Sequence, residues 1–462
     1  MRKCTMYVFV LVVNVYFVFQ AAGNSDSTPS GNQANLLVEQ QCSNLERHEI
    51  ETHLSTKTPY RVVANLNDKP ITYPGCQPTR IWSVIRHGTR NPSKEHIEGA
   101  KVKLLRLKEN ILLNPLTNLC LDELTRLRLW HFNVSSEEEK YLTPEGVDEL
   151  IELAERMQKR FPYLLPDQYD PNLYYFKYTK TQRTLLSAQS FATGLFGRHR
   201  IGQVIYPEAL HKDPVLRFYK LCDRWQVDVD KNPMTFDNAE RFLKEPEMID
   251  AINYIRRRTQ IQNITAEEAQ LIYTICGFET AWNRRRDPSV WCSLFNQDTI
   301  KALEFFEDLE YYWNDGYGYE LTHRMACAAI ENMFEYIDPF SKKPNATFYF
   351  THSGTLLKVL AHLGLYKDNE PLTYRDFKRE RAWRTSVIDA FATNLAFVLY
   401  ECDKEREPMV LTLHQERPIR LPGCPQNEDF CSLKTFKEEY TKNISNCDFE
   451  ELCHFKPKQD EK

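Results

Sequence analysis

One short run, apolar at first and strongly basic at its end, constrains this chain more than any other stretch. Residues 80–85 (Arg-Ile-Trp-Ser-Val-Ile) are rich in β-branched and aromatic side chains, hold no Gly or Pro, and read as a largely buried strand. The strand breaks into Arg86-His87-Gly88-Thr89-Arg90 and stops at Pro92, which cannot continue a ladder. Gly88 removes a side chain where the backbone must turn or approach a ligand closely. A strand end carrying Arg86, His87 and Arg90 suits a tetrahedral oxyanion. Arginine supplies forked donors and permanent charge, and a neutral histidine supplies a nucleophilic ring nitrogen.

Two further segments repeat the pattern of a strand followed by a polar turn. Thr347 to Thr351 is a second buried strand, ending at His352-Ser353-Gly354-Thr355, with a helix from Leu356 to Gly364. Tyr174 to Tyr178 is a third, feeding through Thr179 into a helix that carries Arg183. Amphipathic spacing predicts a helix from His96 to Asn110. Another opens with Thr143 as cap and Pro144 at its first position, and runs to about Arg160. Val387 to Phe391 and Leu395 to Tyr400 read as a late antiparallel pair. Such alternation predicts an α/β core, whose ligands sit beyond the carboxyl ends of the strands. Arg86, His87, Arg90, Arg183 and His352 would then converge on one crevice.

The organisation around that core follows from composition. Residues 1–23 have the form of a secretory signal: Arg2 and Lys3, an apolar stretch from Met6 to Phe19, then Ala21, Ala22 and Gly23. No later stretch is long enough for a membrane span. Residues 24–58 read as a leader, 59–199 and 301–420 as the α/β core, and 200–300 as an inserted, mainly helical cap. Residues 421–462 read as a disulfide-stapled tail. Of thirteen cysteines, Cys4 leaves with the signal, and the even remainder predicts disulfides of unspecified pairing in an oxidising compartment. Asn133, Asn263, Asn345 and Asn443 lie in glycosylation sequons. The last residues, Gln459 to Lys462, do not match a lumenal retrieval signal, which favours secretion. A net charge of −5 gives no overall pull toward nucleic acid or an anionic membrane, and the oligomeric state stays open.

The segment from Arg86 to Pro92 resembles the signature of the histidine phosphatase superfamily, in the branch of acid phosphatases and phytases. The run from Lys180 to Ala188, with Phe191 and Gly194-Leu195-Phe196, resembles the segment that brings a further phosphate-binding arginine. Trp291 to Phe295 and Tyr312-Trp313 with Gly316 to Tyr319 resemble more narrowly the multiple inositol polyphosphate phosphatases. The resemblance, from about Lys57 to about Cys431, implies a three-layer α/β core with a mixed sheet flanked by helices. It implies that Arg86, Arg90 and Arg183 bind the phosphoryl oxygens, that His87 is the nucleophile and that His352 adds a hydrogen bond. No metal or cofactor is implied. Lys94 and Lys180 are candidates for other phosphates of a small polyanionic substrate.

One departure stands out. Relatives place a carboxylate just after the second histidine, as His-Asp or His-Ala-Glu, whereas this chain has His352-Ser353-Gly354. Without that acid, protonation of a poor leaving group should slow by roughly 10²–10⁴-fold unless another carboxylate substitutes. The sequence therefore reads as a secreted phosphatase of inositol polyphosphates. The alternatives are a weakly active or inactive relative that binds polyphosphorylated ligands, and a general secreted acid phosphatase.

Overall fold

The computed structural model describes residues 42–403, 407–444 and 448–455. The signal segment 1–23, the leader up to residue 41, Cys4, Cys447 and the last four residues lie outside them. Seven strands form one mixed sheet: β1 (Cys76–Arg86), β2 (Tyr174–Tyr178), β3 (Ala346–Thr351), β4 (Asn394–Cys402), β5 (Met409–His414), β6 (Arg417–Pro418) and β7 (Phe430–Ser432). The order is β2-β3-β1-β4-β5-β6, with β7 also paired to β5. Strands β1, β2 and β3 run parallel, and Arg86 lies opposite Thr351 while Tyr178 lies opposite Phe350. The three parallel strands therefore end at one level, where His87, Thr179 and His352 follow them. On the other side of β1, β4 pairs antiparallel from Cys76↔Cys402 to Ile85↔Asn394.

Alternation along the strands divides the core between two faces. Ile81, Ile85, Phe176, Phe348 and Phe350 pack beneath helices α1 (Pro144–Arg160) and α2 (Gln182–Phe196). Trp82, Val84, Tyr349 and Phe397 pack on the opposite face against α5 (Cys327–Ile337), α6 (Ser353–His362) and α7 (Leu433–Ile444). Leu216, Phe218, Tyr219 and Trp225 join this second face, so part of the 200–300 segment lies directly on the sheet. A third core holds α3 (Ala266–Trp282) and α4 (Gln297–Asp315).

Several expected elements form where the sequence places them. Thr143 Oγ1 accepts the Gly146 amide and Pro144 opens α1. The 96–110 helix extends over Lys94–Leu113 with a π turn at Ala100–Leu104. Val387 to Phe391 is not a strand. Residues Thr385–Ile388 form a single helical turn, held where Asp308 Oδ1 accepts from the Thr385 amide and hydroxyl at 2.8 and 2.6 Å. Both edges of β4 are already taken, by β1 and by the β5 strand that the sequence reading passed over. No edge remains for 387–391.

Disulfides join Cys42–Cys120, Cys76–Cys402, Cys222–Cys453, Cys276–Cys292 and Cys424–Cys431. Only Cys424–Cys431 is internal to the 421–462 tail among these pairs, and Cys453 ties the tail to the segment after Phe218. Asn133 and Asn263 are exposed and Asn345 is half-buried, while Asn443 falls outside the described side chains.

Candidate active site

The turn after β1 is fixed from below by a buried carboxylate. Glu149 of α1 accepts from the Thr89 amide at 2.7 Å, the Thr89 hydroxyl at 2.9 Å and the Tyr60 amide at 2.9 Å. Burial pushes its carboxyl up to about 7 against these bonds. Gly88 is needed for close approach to the helix rather than to a ligand. A Cβ there would lie 2.4 Å from the Gly146 carbonyl oxygen and 2.7 Å from Leu150 Cδ2. Gly88→Ala should therefore cost about 1–3 kcal/mol and displace His87, lowering both the thermal midpoint and turnover. A variant with wild-type stability and rate would show that the turn yields freely.

His87 is buried, and its Nδ1 meets the Gly88 carbonyl at 2.8 Å. That bond assigns the proton to Nδ1 and leaves Nε2 with its lone pair. Burial first, then Arg183, Arg86 and Arg90, hold the imidazole well below its usual value, so it stays neutral in mildly acidic solution. His352 follows β3 with its ring 5.6 Å from that of His87. Its Nε2 meets Thr179 Oγ1 at 2.9 Å and its Nδ1 meets Arg183 Nη2 at 3.2 Å. Both nitrogens are thus engaged with protein groups. His352 orients Arg183 in this arrangement, and burial followed by Arg183 and Arg217 keeps it uncharged.

Positive charge is crowded around His87. Arg86 stacks on Phe391 at 4.7 Å and donates to the Asp389 carbonyl. Arg90 stacks on Phe278 at 5.3 Å. Burial, then Arg183 and Arg86, push Arg90 down to about 9; burial and then Arg217 push Arg183 down to about 10. The Nε atoms of Arg86, Arg183 and Arg217 are buried and meet no acceptor among the described residues. Unpaired buried donors cost about 1–3 kcal/mol each, more when charged. A multivalent anion would satisfy the donors and relieve the repulsion.

Beside Arg90 opens a cavity of about 390 Å³ lined by Lys57, His96, Tyr273, Phe278, Glu310 and Tyr311, among others. Lys57 Nζ meets both carboxylate oxygens of Glu307 at 2.6 Å. Burial, with Glu307 adding, pushes Glu310 up to about 8. Below that pH Lys57 and Arg90 outnumber the one ionised carboxylate, Glu307, in the lining. Lys94 is exposed and sits 3.9 Å from Glu98, and Lys180 is exposed. Neither is among the residues that line the cavity.

Ser353 and Gly354 open α6. Gly354 has ordinary helical backbone; Asp315 Oδ1 would lie only 2.8 Å from a Cβ there. Asp315 pairs with the buried Lys358. Asp389, fully buried, accepts from the Ser353 hydroxyl and lies 3.6 Å from Arg86 Nη1. Sequence reading missed Asp389, Arg217 and Glu310. A single acid inside the apolar run Ile388-Asp389-Ala390-Phe391 was the available signal, since buried Asp is rare without a partner.

The profile of the histidine phosphatase superfamily (branch 2) matches residues 80–415. Multiple inositol polyphosphate phosphatase 1 of Drosophila melanogaster is 33% identical over 429 residues, covering 88% of each chain. The Homo sapiens protein of that name is 26% identical over 451 residues, covering 89% of this chain and 92% of its own. Among solved structures, the phytase from D. castellii superposes with a TM-score of 0.70 at 16% identity, over 91% of this chain and 90% of that one. The Bifidobacterium longum multiple inositol polyphosphate phosphatase, solved with inositol hexasulfate, gives 0.64 at 17% identity, over 83% and 96%.

Proposed function

The chain belongs to branch 2 of the histidine phosphatase superfamily, and we propose that it hydrolyses phosphate monoesters of inositol polyphosphates, phytate and its lower homologues, through a phosphohistidine. The observation that carries this reading is a neutral His87 with a free ring nitrogen, set among Arg86, Arg90 and Arg183, where the buried Nε donors of Arg86 and Arg183 meet no acceptor among the described residues. Arg86, Arg90 and Arg183 hold the non-bridging oxygens and offset the charge that develops on them. Nε2 of His87 attacks phosphorus in line as the bond to the inositol oxygen breaks. Water then attacks the phosphohistidine, orthophosphate departs, and His87 is regenerated. Arg217 is read as a fourth cation on the phosphoryl group, and Lys94 and Lys180 are left to outlying phosphates. Residues 200–300 are read as a cap apart from the stretch around Leu216 to Trp225 that lies on the sheet, with Tyr273 and Phe278 in the wall of the cavity beside Arg90.

We place the protein in the secretory pathway or outside the cell. Several disulfides and exposed sequons support that compartment, and no described helix is long and apolar enough to cross a membrane.

The test is phosphate release from inositol hexakisphosphate and from p-nitrophenyl phosphate by the purified, glycosylated protein. A higher kcat/KM on the inositol ester is expected. Release from the aryl ester alone would favour a general acid phosphatase. Tight binding of inositol hexakisphosphate without release would favour a ligand-capturing relative.

A further inference from the structure

A strongly basic alkoxide leaves more readily when a general acid protonates it, and just after His352 this chain has Ser353 and Gly354, neither of which is an acid. The position cannot simply be refilled, because Asp315 Oδ1 stands 2.8 Å from where a Cβ on Gly354 would sit, and Lys358 holds Asp315 there. A second carboxylate reaches the same spot from another direction. Asp389 comes from the loop after the Thr385–Ile388 turn, and its Oδ2 accepts from the hydroxyl of half-buried Ser353. Its Oδ1 is buried and meets no donor among the described residues. Arg86, which holds the phosphoryl group in the reading above, lies 3.6 Å from Asp389 Oδ2.

We propose that Ser353 and Asp389 form a proton relay that replaces the missing acid: Ser353 touches the leaving oxygen, and Asp389 acts through Ser353. The Ser353 hydroxyl donates to Asp389 when that carboxyl is ionised. Once Asp389 is protonated the bond reverses, its O–H donates to Ser353 Oγ, and the freed Ser353 O–H gives its proton to the departing oxygen as the bond between phosphorus and the inositol oxygen breaks. The Asp389 carboxyl gives its own proton to Ser353 Oγ and is left as a carboxylate beside Arg86. When water attacks the phosphohistidine, its proton returns through Ser353 to Asp389, so the cycle closes without a net gain or loss of protons. The charged groups around Asp389 are Arg86 on β1 and Asp315 on α4, the latter paired with Lys358 of α6. Burial pushes the Asp389 carboxyl up to about 6, Arg86 and the Ser353 hydrogen bond oppose the shift, and Asp315 adds to it. The acid form that the relay needs is therefore populated below about pH 6 and lost above it.

This inference rests on the proposed function, and its test separates the relay from the substrate reading. kcat is measured on inositol hexakisphosphate, on glycerol 2-phosphate and on p-nitrophenyl phosphate, for wild type, Ser353→Ala, Asp389→Asn and Glu310→Gln. The two alkyl esters leave as strongly basic alkoxides, whereas the aryl ester leaves as a stable phenolate. Ser353→Ala and Asp389→Asn should each lower kcat on both alkyl esters by about 10²-fold, and on the aryl ester far less. The fall of alkyl-ester kcat above about pH 6 should vanish in Asp389→Asn. Equal losses on all three esters would overturn the relay and leave Asp389 as a brace for Arg86. Undiminished alkyl-ester turnover in Ser353→Ala would also overturn it; that side chain is half-buried, so the variant stays informative if Asp389→Asn fails to fold. A selective loss in Glu310→Gln alone would place the acid in the cavity beside Arg90. Should inositol hexakisphosphate be ignored while glycerol 2-phosphate is hydrolysed with the expected selectivity, the substrate reading fails and the relay stands.

Discussion

Replacing His87 by alanine is expected to lower phosphate release on the order of 10⁵-fold or more, the scale of losing a covalent nucleophile. No neighbour can take over. His352 is the nearest alternative imidazole, but its two nitrogens already meet Thr179 and Arg183. The fold should survive, because His87 contributes a hydrogen bond to Gly88 and a ring contact with Phe391 at 6.2 Å, neither of which spans the core. Removing an imidazole also leaves the surrounding guanidiniums no more crowded. Acid-labile phosphoenzyme trapped from wild type and absent from the variant would identify the intermediate directly. A folded variant with the wild-type rate would remove His87 from the mechanism.

The largest effect on stability should come from a residue that touches no substrate. Glu416, 1% exposed, accepts from Arg156 Nε and Nη2 at 2.9 Å, from Arg160, and from the Tyr60 hydroxyl at 2.7 Å. It gathers α1 and the segment that carries Tyr60 at the turn between β5 and β6. In Glu416→Gln the amide group would turn an N–H toward guanidiniums that have only donors to offer. Breaking a buried ion pair from one side costs about 3–5 kcal/mol, which should appear as a thermal midpoint lower by several degrees. Lys159→Ala provides the contrast. Its partner Asp68 is 2.7 Å away but both side chains are well exposed, and such pairs add little to stability. Equal midpoints for the two variants would mean that the Glu416 cluster relaxes around its loss.

What the sequence disclosed and what it withheld divide along the range of the interactions involved. Arg86, His87 and Arg90 were legible because strand, break and chemistry are contiguous. His352 and Arg183 were legible for the same reason, each just beyond a strand of its own. Asp389 shows locally only as one acid in an apolar run and Arg217 carries no local pattern; the folding of distant segments brings the first to Arg86 and the second to His352 and Arg183. Val387 to Phe391 shows the converse, an apolar stretch with strand character that has no free strand edge to pair with. Disulfide pairing was beyond reach for a related reason, since Cys222 and Cys453 meet across 231 residues of sequence. Lys94 and Lys180 are candidates for the outlying phosphates of a polyanionic substrate. Both face solvent.

The position of β1 sets a schedule for synthesis. It is the first of the described strands to be made, yet both its partners in the sheet come late: Cys76 is bridged to a cysteine 326 residues further on, and Arg86 bonds a carbonyl 303 residues away. A ribosome must deliver most of the chain before the nucleophile's own strand can pair on either side. Until then two open apolar edges are exposed, which invites association with other nascent chains. Such non-local pairing also slows the final step. Competence to hydrolyse phosphate should therefore emerge last in biosynthesis, and abruptly, rather than growing in proportion to chain length.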